Sequence, residues 1–192
     1  MNDLRRKIMF KGFKHRVTLL IAIICSSTTF ASQTQICRTI TEIPKTTPTS
    51  QFVQNDNGTV TDNATRLIWM RCSLGQNWDG TTCQGDANQY SWQDALQAAQ
   101  NENHTTDGYN DWRLPNIKEL TSIVEEACYN PAINLTIFPE PKDSEETEYD
   151  YWTSTNYFLN KALKVRFKDG FYTYNFKRDQ TYRVRLVRGG QP

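Results

Sequence analysis

"DGYNDWRLPNIKEL", residues 107–120, is the stretch whose reading decides the fold. Pro115 crowds the backbone of Leu114 out of the helical region, so Asp111 to Leu114 is expected to run extended. Asn116 followed by Glu119 is a helix N-cap with its reciprocal partner, each satisfying a free backbone donor at the helix start. Ile117, Leu120, Ile123, Val124 and Ala127 then share one helical face, which predicts an amphipathic helix reaching Cys128. Trp112 reads as core, and Arg113 as a strand-end residue paired with an acidic neighbour. The sharper reading makes Arg113 a ligand anchor. The cap already accounts for the segment, so it is read as scaffold.

Working outward, "TVTDNATRLIWMR" (59–71) predicts two short strands around a turn. "SWQDALQAAQNEN" (91–103) predicts a helix that starts at Ser91 and buries Trp92, Ala95, Leu96 and Ala99. "YWTSTN" (151–156) reads as a short strand with Trp152 in the core. In "ALKVRFKDGFYTYNFK" (162–177), Asp169-Gly170 predicts a two-residue type I′ turn. That turn would pair Phe167 with Tyr172, Val165 with Tyr174 and Leu163 with Phe176 on one apolar face. Lys164, Arg166 and Lys168 would then line the other face. "TYRVRLVR" (181–188) reads as a last alternating strand that extends the cationic stripe with Arg183 and Arg185. Two helices early and an antiparallel sheet late indicate an α+β domain.

The ends of the chain change its charge. A basic stretch to Arg16, the apolar "VTLLIAII" (17–24) and "TFA" ending at Ala31 have the form of a cleaved export signal over residues 1–31. Eight apolar residues fall well short of the roughly 20 that span a bilayer. The signals of lipoproteins and pilins fit less well, because Ile24 precedes Cys25 and charges fill "KGFKHR". With residues 1–31 removed, 16 basic and 20 acidic groups remain, a net −4. The predicted organisation is an extended arm over 32–57, rich in Thr and Pro, and a globular domain over 58–190. Four cysteines remain, an even number suited to an oxidising compartment, secreted, periplasmic or at the cell surface. Of the three possible pairings, Cys72 with Cys83 is the natural local bridge, leaving Cys37 with Cys128. A zinc site would lack both a C-x-x-C pair and enough histidines.

Catalytic parts are scarce. His104 is the sole histidine after residue 31, and no thiol is spare for a nucleophile. Glu125 and Glu126, adjacent on the predicted helix, would point about 100° apart and read as a solvated face. No enzyme activity, metal or cofactor is expected. Charge is more informative: residues 161–192 hold nine basic and two acidic groups, while 32–160 hold seven basic and 18 acidic. A basic stripe attracts polyanions, with strength falling as salt rises. The bland alternative is ordinary decoration of an exposed strand face. The acidic "EPKDSEETEYD" (140–150) could also cover the stripe. Nucleic acid is not the expected polyanion, given export and the net −4.

Five blocks in order, "TVTDNATRLIWMR", "SWQDALQAA", "GYNDWRLPNIKEL", "YWTSTNY" and "RVRLVRGG", resemble the Lcl C-terminal domain family, the module that closes collagen-like adhesins. The resemblance covers roughly residues 58–190. It implies a C-type-lectin-like fold, distantly similar to that of formylglycine-generating enzymes, and an adhesin module that associates with sulfated glycans. It implies no calcium site, since "NDW" (110–112) reverses the lectin order and "EPK" (140–142) lacks the lectin asparagine. Without a Gly-X-Y repeat the family's reason to trimerise is absent, and the oligomeric state stays open. The expected function is non-catalytic binding of an anionic glycan or envelope polymer through Lys164, Arg166, Lys168, Arg183 and Arg185. The alternative is a structural or assembly subunit that docks on an envelope protein or pilus through apolar and aromatic loops.

Overall fold

The structure, a computed structural model, describes residues 35–102, 109–139 and 149–189. The expected export signal, His104 and most of the acidic 140–150 segment lie outside the described residues. In chain order the strands and helices are β1 (Ile36–Cys37), β2 (Phe52–Gln54), β3 (Thr59–Asp62), β4 (Leu67–Met70), β5 (Asn77–Trp78) and β6 (Cys83–Gln84), then α1 (Trp92–Glu102) and α2 (Ile117–Thr121). β7 (Cys128–Tyr129), β8 (Asp150–Phe158), β9 (Lys161–Arg166), β10 (Tyr172–Phe176) and β11 (Val187–Gly189) follow. Every named strand pairing is antiparallel, in a sheet β11-β4-β3-β2, a sheet β10-β9-β8 and two short pairs, β1-β7 and β5-β6. The α+β class holds.

Strand alternation builds two cores. Tyr151 and Trp152 are neighbours on β8 and therefore point to opposite faces. Tyr151 joins Trp69, Leu120, Ile123, Phe138, Val165 and Phe167 in one buried cluster. Trp152 joins Trp112, Leu114, Ala95, Ala99, Ala162 and Leu186 in the other. β4 works the same way, with Leu67 and Trp69 in the first cluster and Ile68 and Met70 against the second. Both larger sheets thus carry core on each face.

The junction at Pro115 forms as its residues dictate. Arg113 exchanges backbone hydrogen bonds with Val187 at 2.9 and 3.0 Å, so the chain is extended there. The Asn116 side chain accepts the Glu119 N–H at 3.0 Å, and Glu119 accepts the Asn116 N–H at 2.8 Å. Glu119 also receives both guanidinium arms of Arg113 at 2.7 Å. Trp112 and Trp152 are buried, as scaffold requires. Cys72–Cys83 and Cys37–Cys128 are both bonded, the second across the β1-β7 pair.

Four expectations need correction. Helix α2 stops at Thr121 rather than running to Cys128. Thr121 and Ser122 turn their hydroxyls onto the carbonyls of Ile117 and Glu119, and Glu125 takes the Ala127 N–H on its side chain, which a continuing helix would not allow. Ile123, Val124 and Ala127 are still buried, so the apolar pattern was a core signal and not a helix length. Glu125 is no solvated residue: it is 2% exposed and accepts the N–H groups of Thr46 and Thr47 at 2.9 and 3.0 Å. It clamps the N-terminal arm, which is itself structural, since β2 pairs with β3 and Phe52 enters the core.

The late hairpin is shifted by two residues: Tyr172 pairs with Val165 and Tyr174 with Leu163. Phe167 is fully buried and leaves the ladder, so the turn takes in Phe167 to Gly170, closed by Gly170 N–H to the Arg166 carbonyl at 2.8 Å. Core burial of one phenylalanine outweighs the local preference of Asp-Gly. The expected strand over 181–188 reduces to β11 at 187–189, preceded by isolated bridges at Tyr182, at Arg183 and, from β11 itself, to Arg113.

Candidate functional site

The five cations of the expected stripe do not form one open face. Lys164 is buried, ion-paired to Asp150, with its ammonium 4.1 Å from the Tyr182 ring centre. Arg185 is fully buried: its guanidinium donates to the carbonyls of Met70 and Arg71 and lies 5.1 Å from the Phe138 ring centre. Arg183 is buried in the backbone exchange that joins it to Asp150 and Trp152. Arg166 is partly exposed but forms a two-armed bond to Asp169 at 2.8 and 2.5 Å. Lys168 sits half-buried in the turn. The reason is packing: the second core, with Trp152 and Tyr182, covers the face of β9 assigned to solvent. Charge alternation alone does not distinguish a covered strand face from an open one.

Aromatic side chains occupy the exposed end of that sheet instead. Tyr157, Phe158, Phe171, Tyr172, Tyr174 and Phe176 are all exposed, and Leu159 is 92% exposed. Tyr157 and Tyr174 stack in parallel, ring centres 4.4 Å apart and planes 5° from parallel. The Lys161 ammonium lies 4.5 Å from the Tyr174 ring centre and 5.0 Å from that of Phe176. Tyr174, Leu163, Phe176 and Lys161 share a face by register, and this face continues that of Val165 past the end of the core. Such a concentration of exposed rings on one sheet end is a feature of interaction surfaces.

A groove of about 360 Å³ adjoins the rings, lined by Gln93, Leu159, Asn160, Phe176, Arg178 and Asp179 among others. Its floor is held by Lys177, which is buried, donates to the Asn156 side chain at 2.7 Å and lies 4.3 Å from the Trp92 ring centre. Exposed rings, side-chain amides and the Arg178 guanidinium make a surface fit for ring stacking combined with polar and anion contacts. A second depression of about 310 Å³ lies beside the Cys72–Cys83 loop, with Trp78 in its wall and the Arg71 guanidinium 3.9 Å from the Trp78 ring centre.

The carboxyls held below their ordinary range serve the fold. For Glu125, burial works to raise the value, and hydrogen bonds from Thr46, Thr47 and Ala127 outweigh it. For Glu119, burial is outweighed by Arg113 and the Asn116 N–H. For Asp169, burial is outweighed by Arg166 and the Phe171 N–H. Among the described residues no group of three or more His, Cys, Asp or Glu is placed to hold a metal ion. No described helix is long and apolar enough to cross a membrane.

Sequence reading missed Tyr174 and Phe176 as surface because the Asp-Gly register placed them on the apolar face of the hairpin, and it singled out neither Tyr157 nor Lys161. One signal pointed the other way. "FYTYNF" (171–176) carries four aromatics and no Leu, Ile or Val, a composition suited to rings with one wet face.

Among the described residues, small antiparallel sheets, two α-helices and two disulfides define the class: a stapled α+β module with an aromatic sheet end. Residues 58–188 match the sequence model of the Lcl C-terminal domain, and the chain belongs to that family, whose members include adhesin-related modules. No curated protein matches the chain.

Proposed function

We propose that the chain is an exported, non-catalytic adhesion module that recognises an anionic glycan through the aromatic end of β8, β9 and β10. The observation that carries this reading is the exposed Tyr157–Tyr174 stack with Lys161 over the neighbouring rings. Sugar rings present C–H faces that pack on aromatic faces, while Asn160 and Gln93 supply amide donors and acceptors beside them. Arg178 offers a planar fork for a sulfate or carboxylate substituent. The two disulfides suit a secreted, periplasmic or surface location. The C-type-lectin-like ancestry implied by the family resemblance agrees with the α+β class. This reading moves recognition from the expected cation stripe to the exposed rings.

Sulfated and uronic-acid glycans on an array, probed with the disulfide-bonded protein, test it. The Tyr157→Ala/Tyr174→Ala pair should weaken binding at least about tenfold, with folding retained because both rings are exposed. Lys161→Gln should weaken it and flatten its salt dependence. Unchanged glycan binding in both variants would sink the assignment. The open edge of β10 favours a second reading, an assembly subunit docking on an envelope protein; a blank array together with a co-purifying envelope partner would select it.

A further inference from the structure

The backbone of β10 supports an inference that does not depend on the glycan reading. β10 is the outermost strand of its sheet among the described residues. Arg166 N–H donates to the Phe171 carbonyl at 2.8 Å, and Lys177 N–H donates to the Asn160 carbonyl at 2.9 Å. These two bonds lie in the register of the β9-β10 pairing, and antiparallel ladders alternate bonded and non-bonded pairs. Residues 173 and 175 therefore bond inward to β9, and the N–H and C=O groups of Tyr172, Tyr174 and Phe176 point away from the sheet. The Phe176 N–H is already taken by the Asn175 side chain at 2.8 Å. Tyr172 and Tyr174 keep outward donors.

Edge strands in natural proteins are commonly blunted by charge, proline or a bulge. Residues 171–176 contain no charged residue and no proline, and β10 pairs with β9 without a register shift. The strand is also compatible with itself. Antiparallel pairing about a twofold axis through Tyr174 would set Tyr172 opposite Phe176 of the second copy and Thr173 opposite Asn175, with no charged residue in the paired segment. Beyond it, Arg178 of each copy would face Gly170 of the other, and Asp179 would come level with Asp169, whose carboxylate is already bonded to Arg166. Phe171, Tyr172, Tyr174 and Phe176 are between 42% and 68% exposed. At about 200 Å² per ring residue, that offers at most roughly 400 Å² on each copy. The total lies below the roughly 1,200 Å² of stable interfaces and within the transient range.

We infer that β10 is a self-association edge: two copies of this chain pair antiparallel through Tyr172–Phe176 as a weak dimer, joining their three-stranded sheets into one of six strands. The aromatic surface would then be presented twice on one continuous face.

Sedimentation velocity of the disulfide-bonded protein across about 5–500 µM should show a reversible dimer with a dissociation constant on the order of 100 µM. Tyr172→Pro, which removes only an outward N–H from the ladder, should abolish it, while Tyr172→Ala weakens it less. Independently, Tyr174→Cys at the axis should form a disulfide-linked dimer under mild oxidation, and Leu159→Cys, more exposed but off the axis, should not. A monomer at every concentration, a trimer, a dimer unaffected by Tyr172→Pro, or equal cross-linking at both positions would each overturn the inference. A monomer that nevertheless captures a synthetic extended peptide would reassign the edge to a foreign strand.

Discussion

The three-stranded sheet has two ends that differ more than their sequences suggest. At the Tyr151–Val165 end, core lies on both faces, and even a lysine is enclosed. At the Phe158–Phe176 end, the same three strands carry aromatic rings into solvent. Lys164 and Lys161 make the contrast on one strand: the first is sealed against Asp150 and Tyr182, the second rests on exposed rings. Alternation of residue types supplies both ends alike. What separates them is which neighbours arrive: α2 and the two cores at one end, and at the other the first turn of α1, which meets Lys177 and leaves the rings exposed.

Substitutions can break that contrast. Phe167→Ala, in the sealed end, should cost about 3–5 kcal/mol, whereas Phe176→Ala should stay within about 0.5 kcal/mol, both by denaturant unfolding. Glu125→Ala should cost about 3 kcal/mol by removing the acceptor of several buried donors, and limited proteolysis should then cut the arm between residues 38 and 50 first. Lys164→Ala, which strands the Asp150 carboxylate, should cost about 3 kcal/mol, while Lys161→Ala should leave the unfolding midpoint nearly unchanged.

Acid provides a gentler probe. Glu119, Glu125 and Asp169 all have folded values below their ordinary ones. The native state therefore binds fewer protons than the unfolded chain in this range, and stability falls as pH falls. Their contribution is complete above the ordinary values of 4.5 for the glutamates and 3.8 for the aspartate and is lost as pH drops through the lower folded values. Thermal melts should be flat in this respect at neutral pH and decline below about pH 4.5. In Glu125→Gln the decline should be shallower, because one linked proton is gone.

Parts of this molecule were legible before any coordinates. The Asn116/Glu119 cap, the β3-β4 hairpin, the burial of Trp112 and Trp152 and both disulfides follow from local chemistry and cysteine spacing. The length of α2 was not legible, because Ile123, Val124 and Ala127 keep helical spacing while being buried from a non-helical chain. Glu125 was hidden because two adjacent glutamates look solvated unless the arm that one of them holds is known. The hairpin register failed where a nonlocal demand, space for Phe167, overrode a turn preference. The expected open stripe of cations did not form for the same reason: which face of a strand is covered is a property of the assembled fold.

Lys177 carries a last consequence. Its ammonium fastens the Asn156 side chain and the Leu159 carbonyl beneath the exposed rings while lying against Trp92 of α1. The β8-β9 turn is thereby tethered to a helix, and the aromatic end is set before any encounter. A ligand landing there would sacrifice little conformational freedom of its host, so the heat capacity of association should reflect covered apolar area with little contribution from ordering of the chain.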